Sequence, residues 1–328
     1  KGAMNGVIWP EGPHLYKKEG YYYLMIAEGG TGPDHSVTVA RSRQIGGPYE
    51  GNPDNPILTH RHLGKNYPVV YVGHGDLVEA ADGSWYMVML ASRREQGFTL
   101  MGRETFLAKV VWENGWPVVN PGIGKLEEHI ELPMEEYPFE PKDTVYHFWQ
   151  DRLPMDFVML RNPAKNLYSL TERQGWLRLR LRTETLRDEA SPAYLGVRQR
   201  HFSWQASALL DFCPEQEEEA AGLALVQSNG YHLCFEKVRN ERGTPCIRIR
   251  RCENGADQKI AAAEVLDGVC VLRMVCHGLN VDLYYEQNGV KHCMARDVDI
   301  RPLSTEIAGG FTGCTVGMYA SAEGADRK

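Results

Sequence analysis

The sequence predicts an all-β protein: a unit of repeated antiparallel sheets that reads as propeller blades, then a β-sandwich. Three observations carry this reading. The first is a repeat, since placing Gly20 on Gly83 sets Tyr22-Tyr23 over Trp85-Tyr86 and Glu11-Gly12 over His74-Gly75, an offset of about 63 residues. The second is a train of short strand-like runs at regular intervals through the second half, separated by turn residues. The third is composition: Gly 33, Pro 18 and 10% aromatics suit many short strands joined by tight turns.

The first unit is expected over residues 1–120. Its strands are Tyr21–Ile26, Ser36–Ala40, Trp85–Leu90 and Phe106–Trp112, with Glu19-Gly20 and Asp82-Gly83 as hairpin turns. Each copy of the repeat reads polar residue, Gly, short strand, tight turn, aromatic strand. Radially repeated sheets of this kind are propeller blades, and equivalent positions on their inner strands face one axis. The repeat therefore predicts that Glu11 and His74 face the same funnel.

Residues 121–142 are rich in Pro, Gly and Glu and lack periodicity, which predicts a linker. A sandwich is expected over 143–328. Trp176–Leu181 alternates strictly, as a strand with one buried face does. Ser203–Leu210, Gly222–Val226, Tyr231–Phe235, Cys246–Arg250 and Val281–Tyr285 follow as further strands. Glu215 to Glu219 is a charge run and reads as a solvated loop.

A formal charge of -7, with no basic run, argues against nucleic acid as a partner. No apolar stretch is long enough to span a bilayer as a helix. The eight cysteines (Cys213, Cys234, Cys246, Cys252, Cys270, Cys276, Cys293 and Cys314) form no CxxC pair, which speaks against a zinc ribbon or a redox dithiol. Most sit in apolar strand-like runs, so reduced thiols and a cytoplasmic location are expected. The chain begins at Lys1, and whatever precedes it, a targeting signal included, is not visible.

Trp9-Pro10-Glu11-Gly12-Pro13-His14-Leu15-Tyr16 holds a carboxylate between two prolines beside a glycine. Such flanks restrict the backbone, so Glu11 is held in place. On these residues alone the segment reads as a structural turn.

Trp9-Pro-Glu-Gly-Pro-His-Leu-Tyr, Glu28-Gly-Gly-Thr, Val39-Ala-Arg-Ser, Gly47-Pro-Tyr-Glu, Asn55-Pro-Ile-Leu-Thr, Gly73-His74, Gly102-Arg103-Glu104-Thr105 and Asn114-Gly-Trp-Pro stand in that order. Together they resemble glycoside hydrolase family 43, the five-bladed propeller β-xylosidases and α-L-arabinofuranosidases. The C-terminal block, with Gly310-Phe311-Thr312-Gly313, looks like the concanavalin-like jelly roll appended to many of those β-xylosidases.

The resemblance implies inverting hydrolysis of terminal β-D-xylosyl or α-L-arabinofuranosyl linkages in hemicellulose oligosaccharides. It makes Glu11 the general acid. A second carboxylate, roughly 6.5–9.5 Å away, holds the attacking water. The acid calls for partial burial or a nearby negative charge. His74 matches an axial histidine that ligates a calcium ion or a water beneath the sugar. Arg103 matches a substrate-reaching arginine, the bland alternative being a surface ion pair with Glu104. Phe311 matches an aromatic that closes the pocket, against a core Phe at a strand end. No cofactor is required, and a structural calcium at His74 is the one metal suggested.

The family's aspartate base and its pKa-tuning aspartate lie upstream of the glutamate motif, and only ten residues precede Glu11. The expectation is that these are the last blades of the propeller, inactive alone, with an N-terminal fragment as a completing partner. Asp34, Asp54, Asp76 and Asp82 do not sit in those motifs. The alternative is a non-catalytic, lectin-like carbohydrate-binding protein, favoured by exposed aromatics along one sandwich face. The strands carry mixed Arg, Cys and Leu instead. A scaffold role, with the sandwich bracing a partner, would be favoured by Phe311 buried in the sandwich core.

Overall fold

Alternation of more and less buried side chains, two residues to a period, runs through Glu11–Lys18, Ser203–Leu210, Cys270–His277 and Asn280–Gln287. The structure is a computed structural model that describes residues 8–64, 66–140 and 144–323. The outer ends of both expected domain ranges, and the joint at 141–143 between linker and sandwich, lie outside the described residues. The chain divides into two compact units, 1–138 and 139–328.

The first unit holds two four-stranded antiparallel sheets. One is β1 (Glu11–Lys18), β2 (Tyr21–Glu28), β3 (Ser36–Ser42) and β4 (Glu50–Gly51), side by side in that order. The other is β5 (Val69–Glu79), β6 (Trp85–Arg93), β7 (Glu104–Glu113) and β8 (Trp116–Val119), again in chain order. These are two matching blades, and the repeat is their first two strands. The aromatic strands earn their place between the blades. Met25, Val37, Val39, Met87, Met89 and Ala108 form one core with Tyr23, each large side chain contributing about 1.5–3 kcal/mol by burial. Tyr23 meets the edge of Trp112 at 4.9 Å and donates its hydroxyl to the Gly115 carbonyl at 2.8 Å. Arg41 lies 4.2 Å over Trp116 and donates to the same carbonyl at 2.8 Å. Residues 120–140 carry no strand, but Leu126 is buried in the first unit's core.

The second unit is a sandwich. After a two-stranded ribbon of β9 (Tyr168–Ser169) and β10 (Arg178–Leu179) come β11 (Ala193–Arg198), β12 (Ser203–Leu210), β13 (Glu219–Ser228), β14 (Tyr231–Arg239), β15 (Pro245–Glu253), β16 (Ala256–Glu264), β17 (Cys270–His277), β18 (Asn280–Gln287), β19 (Val290–Asp299), a four-residue helix α1 (Thr305–Ala308) and β20 (Thr315–Ala322). One sheet runs β11-β20-β13-β14-β15-β16 and the other β12-β17-β18-β19. Phe235, Ile247, Ile249, Leu272, Met274 and Leu283 are fully buried. Gly317 on β20 lets the sheet close up, since a Cβ there would stand 2.1 Å from the Leu195 carbonyl oxygen.

Two sequence expectations change in detail. Trp176–Leu181 was expected as a full strand, and its exposed arginines do alternate with half-buried leucines. Ladder pairing nevertheless covers only Arg178–Leu179, because its partner turns away at Ser169, whose Oγ accepts the Thr171 and Glu172 amides. The run Glu215–Glu219 is exposed through Glu218, but Glu219 opens β13, and its carboxylate accepts the Glu215 amide at 2.6 Å.

Candidate active site

The first unit brings its chemistry together where β1 meets β5. Both strands are irregular there. Between Glu11 and His14, β1 advances three residues while β2 advances two, from Ala27 to Met25. Strand β5 does the same twice, from Val70 to Gly73 against Ser92 to Leu90, and from Gly73 to Asp76 against Leu90 to Val88. Each extra residue is a bulge, which reverses the alternation and re-aims the side chains beyond it.

The bulges set Glu11 against His74, with Oε1 and Nδ1 4.0 Å apart. Gly12 is required at this spot. Its φ of +56° is left-handed, and a Cβ would lie 2.4 Å from His74 Nε2. The Glu11 side chain is 49% exposed. His74 Nδ1 is itself buried and without a hydrogen-bond partner.

Beneath them lies His35, 1% exposed. Gly73 makes room for it, since a Cβ there would stand 2.5 Å from the imidazole. Nδ1 of His35 donates to the Tyr71 carbonyl at 2.8 Å, so Nε2 carries the lone pair, and it has no donor. Burial lowers the His35 pKa and outweighs the Tyr71 carbonyl, which raises it; His74 and Arg103 add to the lowering and Glu11 opposes it. His35 is therefore a neutral floor to the Glu11–His74 pair. Sequence reasoning gave it no role, because a buried histidine outside a motif looks like any core residue.

Asp76 gains a role that its sequence position did not suggest. Its carboxylate takes the Tyr16 hydroxyl and sits 3.2 Å from His14 Nδ1, while Tyr16 accepts the Leu77 amide at 2.8 Å. Burial, then the bond to Asp76, pushes the Tyr16 phenol well above its ordinary value. Asp76 thus ties β1 to β5 one step along from the Glu11–His74 pair.

Arg103 is half-buried just before β7 and close enough to His35 to act on its charge. Glu104 is engaged by Arg93, whose Nη2 and Nε donate to its two oxygens at 2.7 and 3.0 Å. In the second unit, Phe311 is 43% exposed on a loop where Gly309, Gly310 and Gly313 all have positive φ. Gln227 Nε2 fixes that loop by donating to the Gly309 carbonyl at 2.8 Å. Phe311 is thus no core residue, and the observation that would have favoured a scaffold role is not found.

A calcium ion does not fit the donors around His74. Calcium takes six to eight oxygens, whereas the orphaned atoms here are the two imidazole nitrogens of His74 and His35, joined by one carboxylate.

Residues 1–117 match the description "Glycosyl hydrolases family 43", and residues 145–328 match "Beta xylosidase C-terminal Concanavalin A-like domain". A curated xylosidase/arabinosidase of Butyrivibrio fibrisolvens is 44% identical over 327 residues, covering 99% of this chain and 63% of that protein. The solved structure titled "Bacteroides ovatus Xyloglucan PUL GH43B" superposes with a TM-score of 0.93 at 35% identity, over 97% of this chain and 63% of that one. A xylan beta-1,4-xylosidase from Bacillus halodurans gives 0.92 at 32% identity, with the same coverage. The chain thus spans a little under two thirds of the length of the relatives it matches. With a blade unit and a concanavalin-like sandwich in this order, each matched by its own family description, the chain belongs to glycoside hydrolase family 43.

Proposed function

We propose that the protein acts in the inverting hydrolysis of terminal β-D-xylosyl or α-L-arabinofuranosyl linkages in hemicellulose oligosaccharides, with Glu11 as the general acid. The observation that supports this is the Glu11–His74 pair, set on equivalent bulged strands of two blades over a neutral buried His35. In this reading Glu11 gives its proton to the glycosidic oxygen as the bond breaks. Water attacks the opposite face of the sugar, and a second carboxylate takes the water's proton. No residue of this chain is assigned that second role. His74 orients Glu11 and the sugar, and Arg103 presents its planar donor fork to sugar hydroxyls; Phe311 is an exposed ring available for sugar contact. The reading includes a cytoplasmic site of action, supported by eight free thiols, six of them buried.

The test is hydrolysis of aryl β-xylosides and α-arabinofuranosides, by the chain alone and with a fragment supplying further blades. General acid catalysis contributes about 10²–10⁴-fold. Glu11→Gln should lose that factor on a poor leaving group and far less on nitrophenolate, which departs without a proton. Full activity of the variant on the poor leaving group would remove Glu11 from the role. Sugar binding without hydrolysis by either preparation would replace the hydrolase with the lectin-like alternative.

A further inference from the structure

A row of three side chains crosses the six-stranded sheet of the second unit. His232 on β14 stands opposite Cys252 on β15, and Cys252 stands opposite Asp257 on β16. Opposed residues in an antiparallel ladder share one face, with Cβ atoms about 4.5–5.5 Å apart. A ligand atom from each of the three lies within 4.8 Å of the other two.

His232 distinguishes this row from an ordinary polar cluster. It is 1% exposed. Its Nδ1 donates to the Ser228 carbonyl at 3.3 Å, leaving Nε2 with a lone pair that is buried and has no donor. Hiding an unsatisfied polar atom from water is costly. A histidine whose one nitrogen holds a backbone carbonyl while the other is free is arranged as metal-bound histidines are. Cys252 is fully buried, and its sulfur has two weak backbone partners, the Asn229 carbonyl at 3.8 Å and the Gly255 amide. Asp257 stands at the solvent rim. Arg250 at 2.5 Å and Arg187 at 3.2 Å both contact its Oδ2.

We propose that His232, Cys252 and Asp257 bind a divalent transition-metal ion of the zinc class. A thiolate with an imidazole selects such ions over magnesium or calcium. Zinc bonds of about 2.0–2.3 Å place tetrahedral ligands roughly 3.3–3.8 Å apart, so small side-chain movements close the site. The fourth position falls to water at the Asp257 rim. Binding forms the metal–sulfur bond and releases the Cys252 proton to solvent. The flanking guanidinium groups do not repel the ion unopposed, because Arg250 also pairs with Glu236 at 3.4 Å and Arg187 also pairs with Glu323. The exposed group His277, Asp282 and Asp297 lacks this character, since His277 Nε2 is already bonded to Asp297 at 3.1 Å.

The test is titration of the chelator-treated full chain with Co²⁺, followed by displacement with Zn²⁺. The expected result is one equivalent of tight binding, with a near-ultraviolet thiolate-to-cobalt band that Zn²⁺ removes. Cys252→Ser should abolish the band. Asp257→Asn, which keeps an oxygen for Arg250, should keep the band and weaken affinity by more than the roughly 10–100-fold that loss of an outer partner costs. His277→Ala should bind as the parent does. No thiolate band in the parent at saturating Co²⁺, a band that persists in Cys252→Ser, or undiminished affinity in Asp257→Asn would each overturn the proposal. Should Cys252→Ser fail to fold by circular dichroism, the parent titration and Asp257→Asn decide it.

Discussion

Gly12 is the residue on which the Glu11–His74 geometry depends most directly. Its left-handed φ and the histidine ring beneath it leave no room for a methyl group. Gly12→Ala should cost at least about 1–2 kcal/mol from the backbone alone, read as a lower urea midpoint. An unchanged midpoint would show that the His74 ring yields freely. Arg103 makes a second residue-scale prediction. Arg103→Lys keeps the charge but loses the planar fork, so sugar affinity should fall about 10-fold, roughly 1.4 kcal/mol, in a calorimetric titration with xylo-oligosaccharide. Equal affinity would mean that Arg103 acts only as a charge. Glu11 and His74 were legible because the repeat and the motif each pointed to them. His35 and Asp76 were not, because the first acts through burial and the second through a contact sixty residues away, with Tyr16.

At the scale of elements, strands were legible wherever alternation was sustained, as in β2, β6 and β12. The bulges were harder to read: Gly12, Gly73 and Gly75 hinted at them, but an extra residue shows only when counted against a partner strand. The loop between β4 and β5 carries a further device. His60 is buried; its Nδ1 donates to the Val69 carbonyl at 2.8 Å and its Nε2 accepts the Leu126 amide at 2.9 Å. Both bonds require a neutral ring. Burial lowers the His60 pKa, the Val69 carbonyl opposes this, and Lys125 adds to the lowering. The unfolded chain therefore binds more protons than the folded one below the ordinary histidine value of about 6.5. The stability is fully present above that pH and is lost as the pH falls. His60→Gln can donate and accept in the same places without titrating. Urea unfolding followed by tryptophan fluorescence at pH 8 and pH 5 should show a smaller loss in the variant. Equal losses would locate the acid sensitivity elsewhere.

At the scale of the whole molecule, two units with separate cores explain why the halves of the sequence read so differently. The first packs aromatics between blades, and the second packs aliphatics and thiols between sheets. A fragment of residues 145–328 should fold alone, with a cooperative melt and a near-ultraviolet circular dichroism signal. A molten, ANS-binding fragment would refute this. The sandwich itself was legible from strand spacing, but strand order was not, since period and turn chemistry reveal hairpins and not distant partners. That order has a consequence for biosynthesis. The last strand, β20, lies between β11 and β13 and bonds to both. While the ribosome works through the hundred or so residues from β11 onward, those two strands wait with an unfilled gap between them. A message cut short before Thr315 would therefore yield two open edges in place of a slightly shorter sandwich, and such a product is a substrate for chaperones and proteases.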